Sequence, residues 1–335
     1  AKFISSLVHE KQFLHCDRKA IARIIEFSSR QAEHQNKLSL HASEIANLLR
    51  ESNFWAKEQN STMIRQAHIE RALESDAHRN GRIKDQVFDT IRDGTTLLTV
   101  TGEVVGQINA LSVMSTGGVE FGMPNRVTAN CYFGDGSITD IENDAKLGGN
   151  IHTKGVLILS SYLSTLFAKA DAMPLSASIA FEQSYGEVDG DSASLAELCA
   201  LISSLAEVPI LQQYSMTGSV NQFGEVQPVG GLNEKVEGYF SACEILGLTG
   251  KQGVLLPASN VHNLMLNKNV LSAVKKGQFH IYAIKHVNDA LEVLTGNHPG
   301  ILQPNGEYPE ESMFGIIQKK LAVLREKEDE DEESV

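Results

Sequence analysis

Hydrophobic positions in the first quarter of the chain recur every three or four residues, which is the spacing of one face of an amphipathic helix. Three such runs lie between Asp17 and about Arg82, and their apolar members are Ile21, Ile24, Ile25 and Phe27, then Ile45, Leu48, Leu49 and Phe54, then Ile64, Ala67, Ile69 and Leu73. Asp17 and Ser43 each precede a run and are candidate N-caps. The pattern predicts a small all-α helical bundle over residues 1–88 with no visible catalytic chemistry.

Beyond this bundle the pattern changes to β-like runs, the first beginning at Leu97. Residues 126–141 predict a β-hairpin whose turn is Gly134-Asp135-Gly136. Helices and strands then alternate. The predicted helices cover 154–169, 192–205, 232–246 and a segment ending at 294, and the predicted strands cover 176–181, 213–218, 253–256 and 280–284. The predicted class is α+β (α/β-like) for a second domain at 89–298, with the strand order left open.

Residues 299–335 are predicted to be a C-terminal extension with a disordered acidic tail, because the last ten residues are mostly Asp and Glu and repel one another. The tail carries much of the net charge of −13, which comes from 42 acidic and 29 basic residues. No cluster of Lys and Arg with interleaved aromatic residues is present, so we expect no direct nucleic-acid partner. No apolar run approaches the roughly 20 residues of a membrane span, so we expect no membrane partner.

The four cysteines are far apart and show no C-x-x-C spacing, which implies neither a zinc site nor a disulfide framework. This cysteine usage and the lack of a secretory signal at the start of the sequence predict a cytoplasmic protein. The sequence begins with Ala1 instead of methionine, which indicates a piece of a longer protein.

The main candidate chemistry lies in two segments, Asp189-Gly190-Asp191-Ser192 and a predicted helix that carries Lys235. Ser192 precedes a helix-like run, where free N–H groups and the helix dipole favour developing negative charge. A hydroxyl nucleophile needs a base, and a buried lysine serves as one if its pKa falls from about 10.4 to about 7–8. The pair suggests amide hydrolysis. The alternatives are a serine that only caps a helix and a lysine on the solvated surface.

Further polar residues flank these two segments. Thr217 ends a predicted strand and is placed to hold the lysine amine, while Asp189 and Asp191 are placed to orient neighbours or substrate; strand propensity and turn formation are the ordinary alternatives. We assign His152 to capping or orienting a helix start instead of acid–base work. Ser272 and Lys275 fit an S-x-x-K pattern but lack its partner motifs, so we treat this match as chance.

Ordered segments between residues 126 and 296 resemble the proteolytic domain of Lon proteases, particularly the LonB-like branch. The matching segments are Gly148-Gly149-Asn150-Ile151-His152-Thr153-Lys154-Gly155-Val156-Leu157-Ile158-Leu159-Ser160, Asp189-Gly190-Asp191-Ser192-Ala193-Ser194, Thr217-Gly218-Ser219-Val220, Gly224-Glu225-Val226-Gln227-Pro228-Val229-Gly230-Gly231-Leu232-Asn233-Glu234-Lys235, Val254-Leu255-Leu256-Pro257 and Asn260. The resemblance implies that Ser192 is the nucleophile, Lys235 its general base and Thr217 the support of the lysine. Asp189 matches an acidic position in the active-site loop, and Asp191 matches the aspartate that LonB-like enzymes carry just before the serine.

Residues 1 to about 88 resemble the helical lid subdomain of an AAA+ ATPase, which precedes the protease in Lon-type proteins. No G-x-x-x-x-G-K-[ST] phosphate loop occurs in the chain, and Ser43 stands where LonB-like relatives place a nucleotide-sensing arginine. We therefore expect no cofactor or metal in this chain, and ATP and Mg only in a full-length parent.

The resemblance implies a serine endopeptidase that hydrolyses peptide bonds in unfolded polypeptides and forms a homo-oligomeric ring, most often of six subunits. One alternative is a catalytically weak regulatory or scaffolding ring with a degenerate ATPase. Another is a self-processing peptidase that uses the same Ser-Lys dyad on its own chain.

Overall fold

A computed structural model describes residues 2–39, 41–116, 119–168 and 173–333, with the side chains of 327–333 left undescribed. The described residues form two compact units. The first unit comprises residues within 1–89, 115–120 and 262–266, and the second comprises residues within 90–114, 121–261 and 267–335. The domain limits predicted from the sequence stay predictions.

The first unit is helical, as the apolar spacing predicted. Its helices are α1 (Lys2–Glu10), α2 (Arg18–Gln31), α3 (Ala42–Glu58) and α4 (Gln66–Asn80), and α5 (Arg82–Arg92) follows them. The core contains most of the residues predicted for the apolar faces of these helices, with Ile24, Leu49 and Ile69 fully buried. The prediction was wrong for Ile25, Phe54 and Ala67, which are exposed. Asp17 caps α2 by accepting a hydrogen bond from the backbone N–H of Ala20 at 2.7 Å, as predicted. The N-cap prediction for Ser43 was wrong, because α3 already begins at Ala42.

The second unit contains a seven-stranded mixed sheet in the order β11-β10-β7-β2-β3-β5-β4. The strands of the chain are β1 (Glu103–Val104), β2 (Gln107–Thr116), β3 (Val119–Phe133), β4 (Ile138–Asp140), β5 (Leu175–Phe181), β6 (Ile210–Leu211), β7 (Tyr214–Met216), β8 (Ser219–Val220), β9 (Val226–Gln227), β10 (Gly253–Pro257) and β11 (His280–Ile284). Strands β2, β7, β10 and β11 pair in parallel. Two small antiparallel pairs, β1 with β6 and β8 with β9, complete the set. The predicted mixed class is confirmed.

The hairpin predicted for residues 126–141 was wrong. Strand β5 lies between β3 and β4, pairing antiparallel with β3 and parallel with β4, so the two predicted arms do not pair with each other. The physical reason is that β5 offers seven residues to the long β3, whereas β4 has only three. Residues 97–100, also predicted as a strand, form none in the structure.

Helices cover the sheet of the second unit. They are α6 (Ile141–Asp144), α7 (Asn150–Phe167), α8 (Ser194–Ala206), α9 (Leu232–Leu246), α10 (Lys268–Lys275), α11 (Val287–Thr295) and α12 (Met313–Glu333), and a 3₁₀ turn covers Ala258–Asn263. Helix α8 is buried nearly all round because α7, α11, α12 and β5 pack against it. The bounds of α9 are those predicted, whereas the predicted end of α7 at residue 169 lies outside the described residues. No helix within the described ranges is both long enough and apolar enough to cross a bilayer.

The C-terminal tail differs from its prediction. Helix α12 continues to Glu333, so residues 326–333 are helical where the sequence predicted disorder. Glu and Lys are strong helix formers, and buried residues in the first two turns, such as Phe314 and Ile317, anchor the helix from which the tail extends. Residues 334 and 335 lie outside the described part of the chain.

A pair of glycines fixes α9 against the sheet. Gly238 in α9 lies so close to Gly122 in β3 that a Cβ atom on Gly238 would overlap the carbonyl group of Gly122. Both contacting atoms belong to backbone, which cannot give way as a flexible side chain can. The helix that carries Lys235 therefore rests directly on the sheet backbone.

We expect Gly238→Ala to lower the free energy of unfolding by about 1–3 kcal/mol through this overlap. The loss should appear although alanine has a helix propensity about 1 kcal/mol better than glycine. Urea denaturation measures the change, with Gly186→Ala as the control because a Cβ there meets nothing within 4 Å. Equal stability of the two variants would contradict the close contact between α9 and β3.

Candidate active site

Ser192 lies in the loop before α8, and the loop is fixed by its backbone. The carbonyl oxygen of Ser192 accepts hydrogen bonds from the backbone N–H of Gly218 at 2.8 Å and from Thr217 Oγ1 at 3.2 Å. Helix α8 starts two residues later, with Ala193 as an N-cap that makes no side-chain bond. The serine hydroxyl is therefore not used to cap the helix, which was the ordinary interpretation of the sequence.

Lys235 is the fourth residue of α9 and is only 3% exposed, so it is not the solvated surface lysine of the alternative interpretation. Its Nζ donates to Ser192 Oγ at 2.9 Å and to Thr217 Oγ1 at 3.0 Å. The two residues that were predicted from segments 43 positions apart are thus in direct contact. Thr217 is fully buried and contacts both of them.

Burial sets the protonation of this amine. Loss of solvent around Lys235 lowers its pKa to about 8, against the attraction of the Asp191 carboxylate, which raises it. A lysine with this pKa is neutral in a large share of molecules near pH 8. The role of general base that was inferred from the sequence requires a lowered pKa, and the burial of the Lys235 side chain is the cause of the lowering.

Thr217 also directs the hydrogens of the amine. Its hydroxyl donates to the carbonyl oxygen of Ser192, so its oxygen is left to accept from Lys235 Nζ. One N–H of the amine is therefore held by Thr217, which leaves the lone pair of the neutral amine available toward Ser192 Oγ. The arrangement is suited to removing a proton from the serine hydroxyl.

The two predicted aspartates take different places. Asp191 Oδ2 accepts from Ser219 Oγ at 2.8 Å, and its charge acts on Lys235. Asp189 is exposed and accepts from the backbone N–H of Ile151 at 3.2 Å, in the first turn of α7. Among the described residues, Asp189 forms no hydrogen bond with the serine, threonine or lysine of this site.

Backbone donors are also available beside the serine. Within the described ranges, the backbone N–H groups of Ser192 and Ala193 donate to no protein acceptor. Both lie at the N-terminal end of α8, where the helix dipole is positive. Such groups can receive an oxyanion.

Two supporting residues were not singled out for a role by the sequence analysis. Asn260 bridges the backbone of Val229, accepting from its N–H at 2.8 Å and donating to its carbonyl at 3.1 Å, and so fixes the loop that leads into α9. Ser194 Oγ accepts from the backbone N–H of Val220 at 3.2 Å and ties α8 to β8. Asn260 appeared in the sequence analysis only as part of a matching segment, and a lone serine gives no local signal.

Comparisons with known proteins match two parts of this chain. A family model of the archaeal LonB AAA+ ATPase LID domain matches residues 15–79, and a model of the Lon protease (S16) C-terminal proteolytic domain matches residues 182–296. A Lon protease homolog of Escherichia coli (strain K12) is 47% identical over 252 residues, which cover 75% of this chain and 42% of the relative.

Two further relatives cover more of this chain. A Lon protease homolog of Haemophilus influenzae is 37% identical over 325 residues, which are 96% of this chain and 53% of the relative. An archaeal Lon protease of Thermoplasma acidophilum is 30% identical over 306 residues, which are 89% of this chain and 44% of the relative. The chain thus spans about half the length of these relatives. Together, the two family matches and the relatives show that this chain belongs to the Lon protease family, in its LonB-like branch.

Proposed function

We propose that this chain is the proteolytic part of a Lon-like serine endopeptidase, with Ser192 as the nucleophile and Lys235 as its general base. The observation that carries the proposal is the 2.9 Å contact between Lys235 Nζ and Ser192 Oγ. The amine of Lys235 that makes this contact is buried, and its pKa is lowered to about 8. A scaffolding ring would need neither the contact nor the lowered pKa.

The first half of the reaction begins with the neutral amine. Lys235 takes the proton of the Ser192 hydroxyl as Oγ bonds to the peptide carbonyl carbon. The negative charge that develops on the carbonyl oxygen is received by the backbone N–H groups of Ser192 and Ala193. Thr217 keeps the amine in place during this transfer.

The second half returns the proton. Lys235, now protonated, donates to the leaving amine as the carbon–nitrogen bond breaks, and an acyl ester on Ser192 remains. Water then attacks the ester with the neutral lysine again as base, and the serine hydroxyl is restored. Each residue ends in the state in which it began, so no further reactant is needed.

We propose unfolded polypeptides as substrates. Ser192 is only half-buried, whereas its base is closed to solvent, so the scissile carbonyl must approach from the serine side. An extended segment with free backbone groups can reach this position, and a backbone already paired inside a folded protein cannot. We also propose that the protein works as a homo-oligomeric ring of six subunits, with ATP and Mg acting only in a longer parent chain.

The proposal is tested with unfolded casein and a fluorogenic peptide as substrates, and with a fluorophosphonate probe for activated serines. We expect cleavage of both substrates, and a covalent adduct that mass spectrometry locates on Ser192 and not on Ser272, which is exposed on α10. Absence of cleavage together with an unlabelled Ser192 would contradict the proposal. Cleavage of the protein's own chain alone would instead support the self-processing alternative.

The pH dependence follows from the sign of the pKa shift of Lys235. Since the neutral amine is the working form, kcat/KM should rise tenfold per pH unit below about 8 and level off above it. Initial rates with a peptide that has no ionisable group between pH 6 and about 10 check this expectation. A rate that keeps rising toward pH 10.5, the ordinary value for lysine, would show that the base is not desolvated.

A further inference from the structure

A second group of ionisable side chains is buried behind the loop of Ser192. Asp140 ends β4, Glu142 lies in α6, His152 lies in the first turn of α7 and Glu197 lies in α8. None of the four is more than 6% exposed. The sequence analysis assigned His152 to capping or orienting a helix start. The structure differs, because its ring points into this cluster and stacks edge-on against Phe181.

The ring of His152 stands between two sets of carboxylates. Its Nε2 lies 3.1 Å from Oδ2 of Asp140, and one ligand atom each from Asp140, Glu142 and His152 lie within 4.8 Å of one another. On the opposite side of the ring, Nδ1 lies 3.9 Å from Oε1 of Glu197. The other oxygen of Glu142 accepts from the backbone N–H of Phe181 at 2.9 Å, which fixes that carboxylate.

Most polar atoms that face this space are not hydrogen-bonded. Among the described residues, both oxygens of Asp140, Oε2 of Glu142, Nε2 of His152 and Oε1 of Glu197 find no hydrogen-bond partner. The 3.1 Å approach of Nε2 to Asp140 therefore lacks the direction of a hydrogen bond. Buried groups of this kind are strongly destabilising when left unpaired, so their convergence calls for a positive charge. A bound ion can supply it, and so can a protonated His152, because the surrounding carboxylates, Asp140 foremost, raise the pKa of this ring against the effect of burial.

We propose that Asp140, Glu142 and His152 bind a divalent transition-metal ion, with Glu197 as the outer partner of the histidine. The ion would bond to Nε2 and to one oxygen of each carboxylate. Nδ1–H would then face Glu197, which lies 3.9 Å away and would have to move closer to accept the hydrogen bond that metal-bound histidines commonly donate. Ligand atoms about 2.1 Å from a tetrahedral ion are about 3.4 Å apart, so atoms that lie within 4.8 Å of one another must move closer by up to about 1.4 Å to close the site. An imidazole with carboxylates favours zinc- or manganese-type ions over Mg²⁺ and Ca²⁺.

The site would join the segments that hold the nucleophile. Its ligands come from β4, α6 and α7, and Glu197 is in the first turn of α8, five positions after Ser192. Helix α7 also packs closely on the serine loop, since a Cβ on Gly155 would meet Asp191 at 3.2 Å. The ion would therefore act as a positioning element for the loop and would touch neither substrate nor Ser192.

The competing explanation is that protons alone neutralise the cluster. Burial raises the pKa of Glu197 to about 8, so without an ion this carboxyl holds a proton near neutral pH, and burial also raises the pKa of Glu142. Metal ions compete with protons for such ligands, so binding should weaken as the pH falls. A cluster that holds only protons would bind no ion at any pH.

The test uses purified protein stripped with EDTA and titrated with Mn²⁺, Zn²⁺ or Mg²⁺, with metal content, binding stoichiometry and Tm as readouts. We expect one equivalent of Mn²⁺ or Zn²⁺, and a rise in Tm of roughly 5–10 °C at about 100 times Kd. Asp140→Asn and Glu142→Gln keep the side-chain volume and should abolish the rise. Asp144→Asn, an exposed carboxylate on the same helix α6, should leave it unchanged. Glu197→Gln should weaken binding by about 10- to 100-fold.

The same titrations in a Ser192→Ala background keep this test separate from proteolysis, because binding does not require the dyad. If the amide variants fail to fold, electron paramagnetic resonance of Mn²⁺ bound to the unaltered protein tests the ligands directly. We expect the signal to show coupling to the nitrogen of one imidazole, that of His152. The proposal is overturned by a lack of stoichiometric binding, by a rise in Tm that survives in both amide variants, or by a spectrum with oxygen ligands alone.

Discussion

Replacing Ser192 with alanine is expected to lower the rate of peptide hydrolysis by roughly 10³- to 10⁶-fold. The reason is that Oγ is the only atom at this position that can bond to the substrate carbonyl, whereas the backbone donors at the start of α8 remain. The fold should be unaffected, since the hydroxyl does not cap α8. Initial rates with the fluorogenic peptide measure the loss, and circular dichroism checks the fold.

The matched control for this variant is Ser272→Ala. Ser272 stands three positions before Lys275 in α10, and both side chains are exposed. Full activity of this control beside an inactive Ser192→Ala would tie the chemistry to the buried pair. Equal rates of the two variants would remove Ser192 from the mechanism, and loss of activity in the control would show that the assay follows something other than the proposed site.

Lys235→Met is expected to lower kcat by roughly 10³-fold or more, because it removes the base but keeps an unbranched side chain in the buried position. The remaining rate should also lose the rise toward pH 8 that belongs to the amine. Lys275→Met is the matched control, since that lysine is exposed. Wild-type rates in Lys235→Met would contradict a general base at this position.

The same variant tests whether the amine is desolvated. A lysine whose pKa falls from 10.5 to about 8 on folding destabilises the folded state by about 3 kcal/mol below pH 8, and this penalty disappears as the pH rises toward 10.5. Urea denaturation of both proteins should therefore show Lys235→Met gaining stability relative to wild type at pH 7, with the gain shrinking at higher pH. A difference independent of pH would contradict the shifted pKa.

The contact of Ser192 with Lys235 was predictable from the sequence because each lies in a distinctive segment of the Lon-like pattern. Their 2.9 Å separation in the structure agrees with that prediction. The two aspartates were less predictable. An aspartate beside glycine fits a turn, a helix cap or a substrate contact equally well. In the structure, Asp189 accepts a hydrogen bond from the backbone at the start of α7, and Asp191 accepts one from Ser219.

Elements with a strong local pattern were also predicted well. Helix α9 and strand β11 both have the bounds that were predicted from the sequence. The arrangement of β3, β4 and β5 was not predictable, because pairing depends on which strand offers the longer partner, and β5 is separated from β4 by the whole of α7. Local turn residues at 134–136 gave a signal for a hairpin that the long-range pairing overrode.

The buried cluster around His152 escaped the sequence analysis for a related reason. Its members, at positions 140, 142, 152 and 197, follow no metal-ligand spacing, and four separate elements are needed to bring them together. The absence of a C-x-x-C pattern led to the expectation of no metal site. Carboxylate ligands carry no comparable signature, because acidic residues are common on solvated surfaces.

The deep position of Lys235 has a protective consequence. If α9 loosens, water reaches the amine and its pKa returns toward 10.5, so that at pH 7 only roughly one molecule in three thousand keeps a neutral base. A chain whose helix α9 loosens would thus lose its proposed general base and, with it, the proposed peptidase activity. The burial that lowers the pKa of Lys235 thus also makes the proposed activity depend on an intact fold. Loosening of α9 removes the neutral base while the hydroxyl of Ser192 is still present.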